Sequence, residues 1–413
     1  MSMLRICVLA YHSSPLIEPG SGDAGGMTIY VRELAAALAA QGAATDVFTR
    51  ATGDGPRISE IGPNVRVISI DAGPRAPVVK ERLRQHLGEF VNGIRAFATT
   101  QRIGYDLLHS HYWQSGLAAA ALAPIWGVPL VHSHHTLGRV KNRWLAPGDS
   151  PEPEFRLAGE QEVIDAADVL VASTEEERSH LAGLYDAAPE RLKTLHPGVD
   201  HEMFSPGDRS EARSALGLPE GPLLVAVGRI QRLKGFDLAI ESLARLGGQP
   251  AAKLVIVGGA SGVNGEAELV RLKALAIELG VAERIVWAGV QPHRTLPLYY
   301  RAADMVLVCS HSESFGLAAL EAQSCGIPLI GTRVGGLPDV VAERRSGVLM
   351  SESDPVAFAG EINNLLVNPR RVASFGKVAR QQALRFSWKT MAEDFLTLYE
   401  CLIREDSPEA CTC

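Results

Sequence analysis

Short apolar runs alternate with amphipathic stretches along almost the whole chain, which is the pattern of parallel sheets joined by crossover helices. In the first half, strands are expected over 4–10, 44–48, 65–70, 107–111, 130–134 and 169–173, with helices over 27–41, 79–99, 116–125, 153–166 and 174–184. A second series of strands, 223–227, 253–257, 285–288, 305–309, 328–332 and 347–350, alternates with helices 236–246, 265–279, 296–302, 316–324 and 337–342. Between the series, residues 195–208 carry two Pro-linked turns and no periodicity, as an interdomain connection would. At 413 residues the chain exceeds one ordinary core. The expected division is 1–204 and 205–387, then a last helix over about 388–404 and a disordered tail over 405–413.

Composition narrows the function. A net charge of −7 argues against general binding to nucleic acid or to an anionic membrane. The opening residues hold one Arg and too short an apolar run for a signal peptide. The longest apolar stretch, 117–131, is interrupted by Pro124 and Pro129, so no stable membrane insertion is expected. The six cysteines lack metal or disulfide spacing apart from the Cys411-Thr-Cys413 tail, which reads as a reducing, cytoplasmic setting.

Two distant segments carry the strongest chemistry. Gly228-Arg-Ile-Gln-Arg-Leu-Lys-Gly235 supplies Arg229 and Lys234, which would neutralise a diphosphate. Ser312-Glu-Ser-Phe-Gly-Leu-Ala-Ala-Leu-Glu321 supplies Glu313 in a loop, Gly316 at a helix start and Glu321 about two turns on. A helix N-terminus suits phosphate, and carboxylates accept hydrogen bonds from sugar or ribose hydroxyls. Together they read as a nucleotide-sugar site.

Gly20-Ser-Gly-Asp-Ala-Gly25 matches the dinucleotide fingerprint Gly-x-Gly-x-x-Gly. It begins about ten residues after its strand, however, and no acidic residue ends the second strand, where Asp46 precedes Val47-Phe48. A glycine loop that lets backbone approach a sugar fits better. Histidines gather at expected strand ends: His12, His109, His111, His132, His134 and His135. His132 and His134 alternate on one strand, yet no acidic or Cys partner stands at zinc spacing, and no metal is expected. Lys80, Tyr112, Thr136 and Arg156 would form an anionic acceptor's pocket if they converge, which spacing alone leaves open.

This ordered set resembles the retaining glycosyltransferases of family 4, which have the α/β GT-B fold of two Rossmann-like domains facing across a cleft. The likeness is carried by Gly22-Asp-Ala-Gly-Gly-Met27, 105–113, His135-Thr-Leu, Val140-Lys-Asn142, 229–235, 258–262, Tyr300-Arg-Ala-Ala-Asp304 and 313–323. Within the family it points to the mycothiol-pathway branch that moves N-acetylglucosamine from UDP onto inositol phosphate. The resemblance implies that Gly25, Gly26, Arg229, Lys234, Gly258, Gln291, Glu313, Ser314, Phe315, Gly316, Leu317 and Glu321 line the donor site. His135, with Arg229, Lys234 and Glu313, would be catalytic. His12, Asp23, Thr28, Lys80, Tyr112, His134, Thr136 and Arg156 would line the acceptor site. It also implies that the final helix crosses back to the first domain, that no cofactor is required beyond the nucleoside-diphosphate sugar (UDP or GDP) as substrate, and that a homodimer is allowed. Three departures keep acceptor and base open: Thr28 for Asn, His134 for a small residue and Gln291 for Arg. An antibiotic-pathway enzyme acting on an aminocyclitol or small thiol, a nicotinamide oxidoreductase and a non-catalytic sugar-nucleotide-binding protein are the competing readings.

Overall fold

The computed structural model describes residues 3–20, 24–145, 150–247, 251–262 and 264–404, so Asp23 and the 405–413 tail lie outside the described residues. The alternation resolves into two sheets. The first contains β1 (Arg5–Leu9), β2 (Ala44–Arg50), β3 (Ile58–Gly62), β4 (Val65–Ile70), β5 (Leu107–His111), β6 (Leu130–Ser133), β7 (Val169–Ala172) and β8 (Leu192–Thr194). Its spatial order is β3-β4-β2-β1-β5-β6-β7-β8. The second contains β9 (Leu223–Val227), β10 (Lys253–Val257), β11 (Ile285–Gly289), β12 (Met305–Val308), β13 (Leu329–Thr332) and β14 (Gly347–Met350), ordered β11-β10-β9-β12-β13-β14. Every pairing is parallel except β3 with β4.

Helices cover both faces of each sheet, so the central strands are apolar on both sides and were legible as near-continuous hydrophobic runs. Strand order reverses between β1 and β5 and again between β9 and β12. Open α/β sheets bind ligands beyond the carboxyl ends of strands at such switch points.

Several elements differ from expectation. The helix expected over 79–99 is a 3-10 segment, Lys80–His86, followed by an α-helix, Leu87–Gln101; His86 at φ −106°, ψ 7° breaks the run. The helix expected from 116 begins at Trp113. Strands β3 and β8 and the helices Gly138–Arg143 and Arg209–Leu216 were not anticipated.

The last helix, Trp388–Ile403, packs on the first domain. Met391, Phe395, Leu398 and Tyr399 are buried with Val8, Leu34 and Val131 of that domain, and Tyr399 Oη lies 2.7 Å from His109 Nδ1. Fully burying a side chain of that size stabilises by roughly 1.5–3 kcal/mol, so four of them anchor the helix firmly. Where the two connections between domains cross, Val199 pairs with Ser387, and a Cβ on Gly198 would stand 2.0 Å from Trp388 N. Only glycine fits there.

Candidate active site

A cavity of about 590 Å³ opens at the carboxyl ends of the switch-point strands, lined by both domains. On the second-domain wall, Arg229 follows β9. Gly258, at φ 146°, runs beneath it so closely that a Cβ would lie 1.8 Å from Gly228 O. Lys234 ends a 3-10 turn, Arg232–Lys234. Its Nζ stands 2.6 Å from Glu313 Oε2, which also accepts from Ser310 Oγ at 3.2 Å. The Glu313 backbone is equally confined, since a Cβ on Gly335 would sit 1.5 Å from its carbonyl oxygen.

Gly316, at φ 95°, starts the Leu317–Ser324 helix, whose first N–H groups have no side-chain cap. Inside this helix Glu321 is buried. Its Oε1 lies 2.7 Å from His293 Nε2, and Tyr300 Oη donates to Oε2 at 2.8 Å. Burial alone would lower the His293 pKa, but the Glu321 charge and hydrogen bond outweigh it and the net shift is upward. Neither His293 nor Tyr300 was singled out as a site residue. Tyr300 was visible in the segment Tyr300–Asp304; His293, in a short turn, gave no signal.

The two walls touch. A Cβ on Gly25 would stand 3.0 Å from Arg229 Nε, and one on Gly26 3.5 Å from Leu317 Cδ1. Ser314 donates its hydroxyl to the His135 carbonyl oxygen across the cleft. Gln291 is on the wall, its amide donating to Ala288 O at 2.7 Å. Phe315 packs against Phe386 at the interdomain crossing, 5.8 Å between centroids.

On the first-domain wall, His135 adopts φ 64°, a left-handed conformation uncommon for a residue with a side chain and found disproportionately at functional sites. Its Nε2 lies 2.9 Å from His111 Nδ1 and its ring meets Tyr30 edge-on at 4.8 Å. Burial lowers its pKa to about 3, so it is neutral near pH 7. Tyr112, at φ 72°, carries Lys80 Nζ 4.6 Å and the Arg156 guanidinium 5.3 Å from its ring centroid. Arg156 Nη2 donates to Thr136 Oγ1 at 3.1 Å. Lys80, Tyr112, Thr136 and Arg156 therefore do converge.

Not every expected residue faces the cavity. Arg156 is 2% exposed and stands behind Thr136, held by Glu160 and Glu152. Thr28 is buried with its hydroxyl 2.7 Å from Ser13 Oγ. His134 is buried against the His132 ring at 4.3 Å, with neither ring nitrogen hydrogen-bonded. These three side chains lie behind the wall, while His12 is on it, 4.5 Å from the Tyr112 ring. Among the described residues no group of three potential ligands is placed to hold a metal.

Two further carboxyls on the wall, Glu176 and Glu177, were missed, and Glu177 is the buried one. Glu177 accepts from Ser173 N at 2.7 Å while its own N–H donates to Thr174 Oγ1 at 3.0 Å, so Thr174 caps the Glu175–Tyr185 helix and the carboxylate reaches one residue further back. The sequence signal was Thr174 followed three residues later by Glu177. Burial pushes its pKa up to about 7, against the Ser173 hydrogen bonds.

The dinucleotide reading fails on Asp46. Its carboxylate is taken by a bidentate Arg66 at 2.6 and 2.7 Å and by Tyr105 Oη at 2.7 Å, so it has no ribose to serve.

Doubly wound sheets opposed across one cleft, with cationic side chains on both walls and the last helix returned to the first domain, are the architecture of a GT-B glycosyltransferase. Residues 25–198 match the glycosyl transferase 4-like domain and residues 208–382 the glycosyl transferases group 1 domain. D-inositol 3-phosphate glycosyltransferase of Acidothermus cellulolyticus is 44% identical over 409 residues, 97% of this chain and 91% of the relative. That of Mycobacteroides abscessus is 46% identical over 399 residues, 96% and 88% respectively. Among solved structures, sucrose-phosphate synthase from Thermosynechococcus elongatus superposes with a TM-score of 0.91 at 31% identity, covering 97% of this chain and all of that one. The chain belongs to the D-inositol 3-phosphate glycosyltransferase family of group 1 glycosyltransferases.

Proposed function

We propose that this enzyme transfers N-acetylglucosamine, with retention, from UDP-N-acetylglucosamine to D-inositol 3-phosphate. The observation that carries this reading is the cluster of Lys80, Tyr112 and Thr136 on the wall, with Arg156 directly behind them, opposite Arg229 and Lys234 in one cleft. The relatives' acceptor, inositol phosphate, needs such a cationic pocket for its phosphate.

In this reading the anomeric carbon–oxygen bond to the diphosphate breaks as an acceptor hydroxyl oxygen bonds the same face of the anomeric carbon. The acceptor's proton passes to the leaving phosphate oxygen. Arg229, Lys234 and the N-terminus of the Leu317–Ser324 helix neutralise the charge that grows on the diphosphate. Glu313 holds sugar hydroxyls, Glu321 the ribose, and Gln291 lies by the base. Neutral His135 contacts the sugar. No Asp or Glu is assigned as nucleophile, so a single displacement step replaces a glycosyl-enzyme intermediate.

The domains divide at 204 and 387, the first binding acceptor and the second donor. A cytoplasmic setting is expected and a homodimer is allowed. No helix among the described residues is long and apolar enough to cross a membrane. The test is proton NMR of the product from UDP-N-acetylglucosamine and D-inositol 3-phosphate, run beside GDP-sugars, aminocyclitols and small thiols. An α-linked glycosyl inositol phosphate is expected. A β linkage refutes retention, and preference for an aminocyclitol or thiol refutes the acceptor.

A further inference from the structure

Arg156 is gripped by two carboxylates that differ in kind. Glu160 is fully buried and saturated: Arg156 Nε donates to it at 2.8 Å, Gly138 N at 2.9 Å, and Tyr185 Oη donates as well. Glu152 is 21% exposed at its side chain, and its oxygen Oε1 accepts from Lys141 Nζ at 2.8 Å and forms an ion pair with Arg156 Nη1 at 2.7 Å. Lys141 lines the cleft.

Glu152 is anchored without its carboxylate. Its backbone N–H donates to Asn142 Oδ1 at 2.6 Å and its carbonyl oxygen accepts from Asn142 Nδ2 at 3.3 Å. Pro151 and Pro153 flank it, stiffening the backbone. The main chain is thus held independently of where the carboxylate sits. The charges decide what it does. Lys80, Lys141 and Arg156 supply three positive charges around Tyr112, and Glu152 and Glu160 supply two negative ones, leaving +1. With Glu152 withdrawn the balance is +2, the match for a phosphate dianion.

We propose that Glu152 is a built-in competitor for the acceptor's phosphate, holding Lys141 and Arg156 until a phosphorylated acceptor displaces it. The inference rests on the proposed function, whose acceptor is phosphorylated. An unphosphorylated polyol brings no charge to replace the carboxylate, so displacing Glu152 would leave two cations unpaired, and it is disfavoured. A dianion brings three strong acceptor oxygens and takes over both cations. Burial would raise the Glu152 pKa, but Arg156 and Lys141 outweigh it and hold it at about 2, so the competitor stays charged at working pH.

The experiment compares wild type, Glu152→Gln and Glu160→Gln. It reads inhibition by inorganic phosphate and the KM values of D-inositol 3-phosphate and unphosphorylated inositol. A competitor seated about nine-tenths of the time weakens apparent affinity about tenfold. Glu152→Gln should therefore tighten phosphate and D-inositol 3-phosphate by about that factor, while inositol, with no phosphate to pair with Lys141 and Arg156, gains much less. Glu160→Gln, which loosens a fixed support of Arg156, should weaken both phosphates. If Glu152→Gln weakens or leaves unchanged the phosphate inhibition, Glu152 is a support like Glu160 and the inference is overturned; absence of phosphate inhibition in every protein overturns it too. Wild type that binds phosphate but does not glycosylate D-inositol 3-phosphate refutes the proposed acceptor instead, with the phosphate arm still reporting on Glu152.

Discussion

Lys234 and Glu313 meet at 2.6 Å, so the cation assigned to the diphosphate also fixes the carboxylate assigned to the sugar hydroxyls. Replacing Lys234 by alanine removes the counter-charge for the leaving group and frees Glu313 to repel it. Removal of one such preorganised charge typically costs about 10²–10³ in turnover, and steady-state kinetics should show at least that loss with the fold intact by circular dichroism. Glu321 works differently. It was legible as a carboxylate two turns into a helix, but its partners were not, because His293 and Tyr300 lie 28 and 21 residues away in sequence and meet it only in the fold. Glu321→Ala strands both of them in a buried site, which costs about 1–3 kcal/mol for each group left unpaired. Urea unfolding should show the loss, and Glu321→Gln, which keeps two oxygen or nitrogen contacts, should lose less.

At the scale of elements, strand ends carry the unusual chemistry. Six histidines at the carboxyl ends of β1, β5 and β6 all have pKa values lowered chiefly by burial, to about 3 for His109, His134 and His135 and well below the usual value for His12, His111 and His132. Each folded-state pKa lies below the unfolded value of about 6.5, so the unfolded chain binds more protons between about pH 3 and 6.5. Stability should therefore fall as pH drops through that window. Glu177, raised to about 7 from 4.5, opposes this between those two values, and His293, raised by Glu321, also opposes it, but the six buried histidines outnumber them. Thermal unfolding should give a clearly lower midpoint at pH 5.5 than at pH 7.5; an unchanged midpoint contradicts neutral burial of the cluster. The strands themselves were readable because two-sided burial demands continuous apolar residues. Strand β3, Ile-Ser-Glu-Ile-Gly, was not, since it sits half exposed at the sheet edge, and β8 spans only three residues. The convergence of Lys80, Tyr112, Thr136 and Arg156 was equally hidden, because it depends on loops from three separate strand–helix units. Gly335→Ala tests a tight turn on the second-domain wall: a Cβ 1.5 Å from the Glu313 carbonyl must displace the Glu313 loop, and affinity for the proposed UDP donor should drop about tenfold or more while the sheets persist.

Across the whole molecule, one hydrogen bond joins the chemistry of the two domains. Ser314, next to Glu313, donates to the carbonyl of His135, whose left-handed backbone turns that oxygen toward the cleft. Ser314→Ala should lower kcat several-fold with little change in circular dichroism, since closure of the walls excludes water and aligns both substrates. The returning helix serves the same geometry from the far side, through Tyr399 on His109 and Trp388 beside Tyr30. All of this converges on one reaction in one cleft. Mass spectrometry of an incubation of the protein with UDP-N-acetylglucosamine and D-inositol 3-phosphate tests it most directly. The account predicts a product heavier than the acceptor by one N-acetylhexosamine unit, formed by wild type and nearly absent with Arg229→Ala. Full product yield from Arg229→Ala, or no product from wild type, would contradict it.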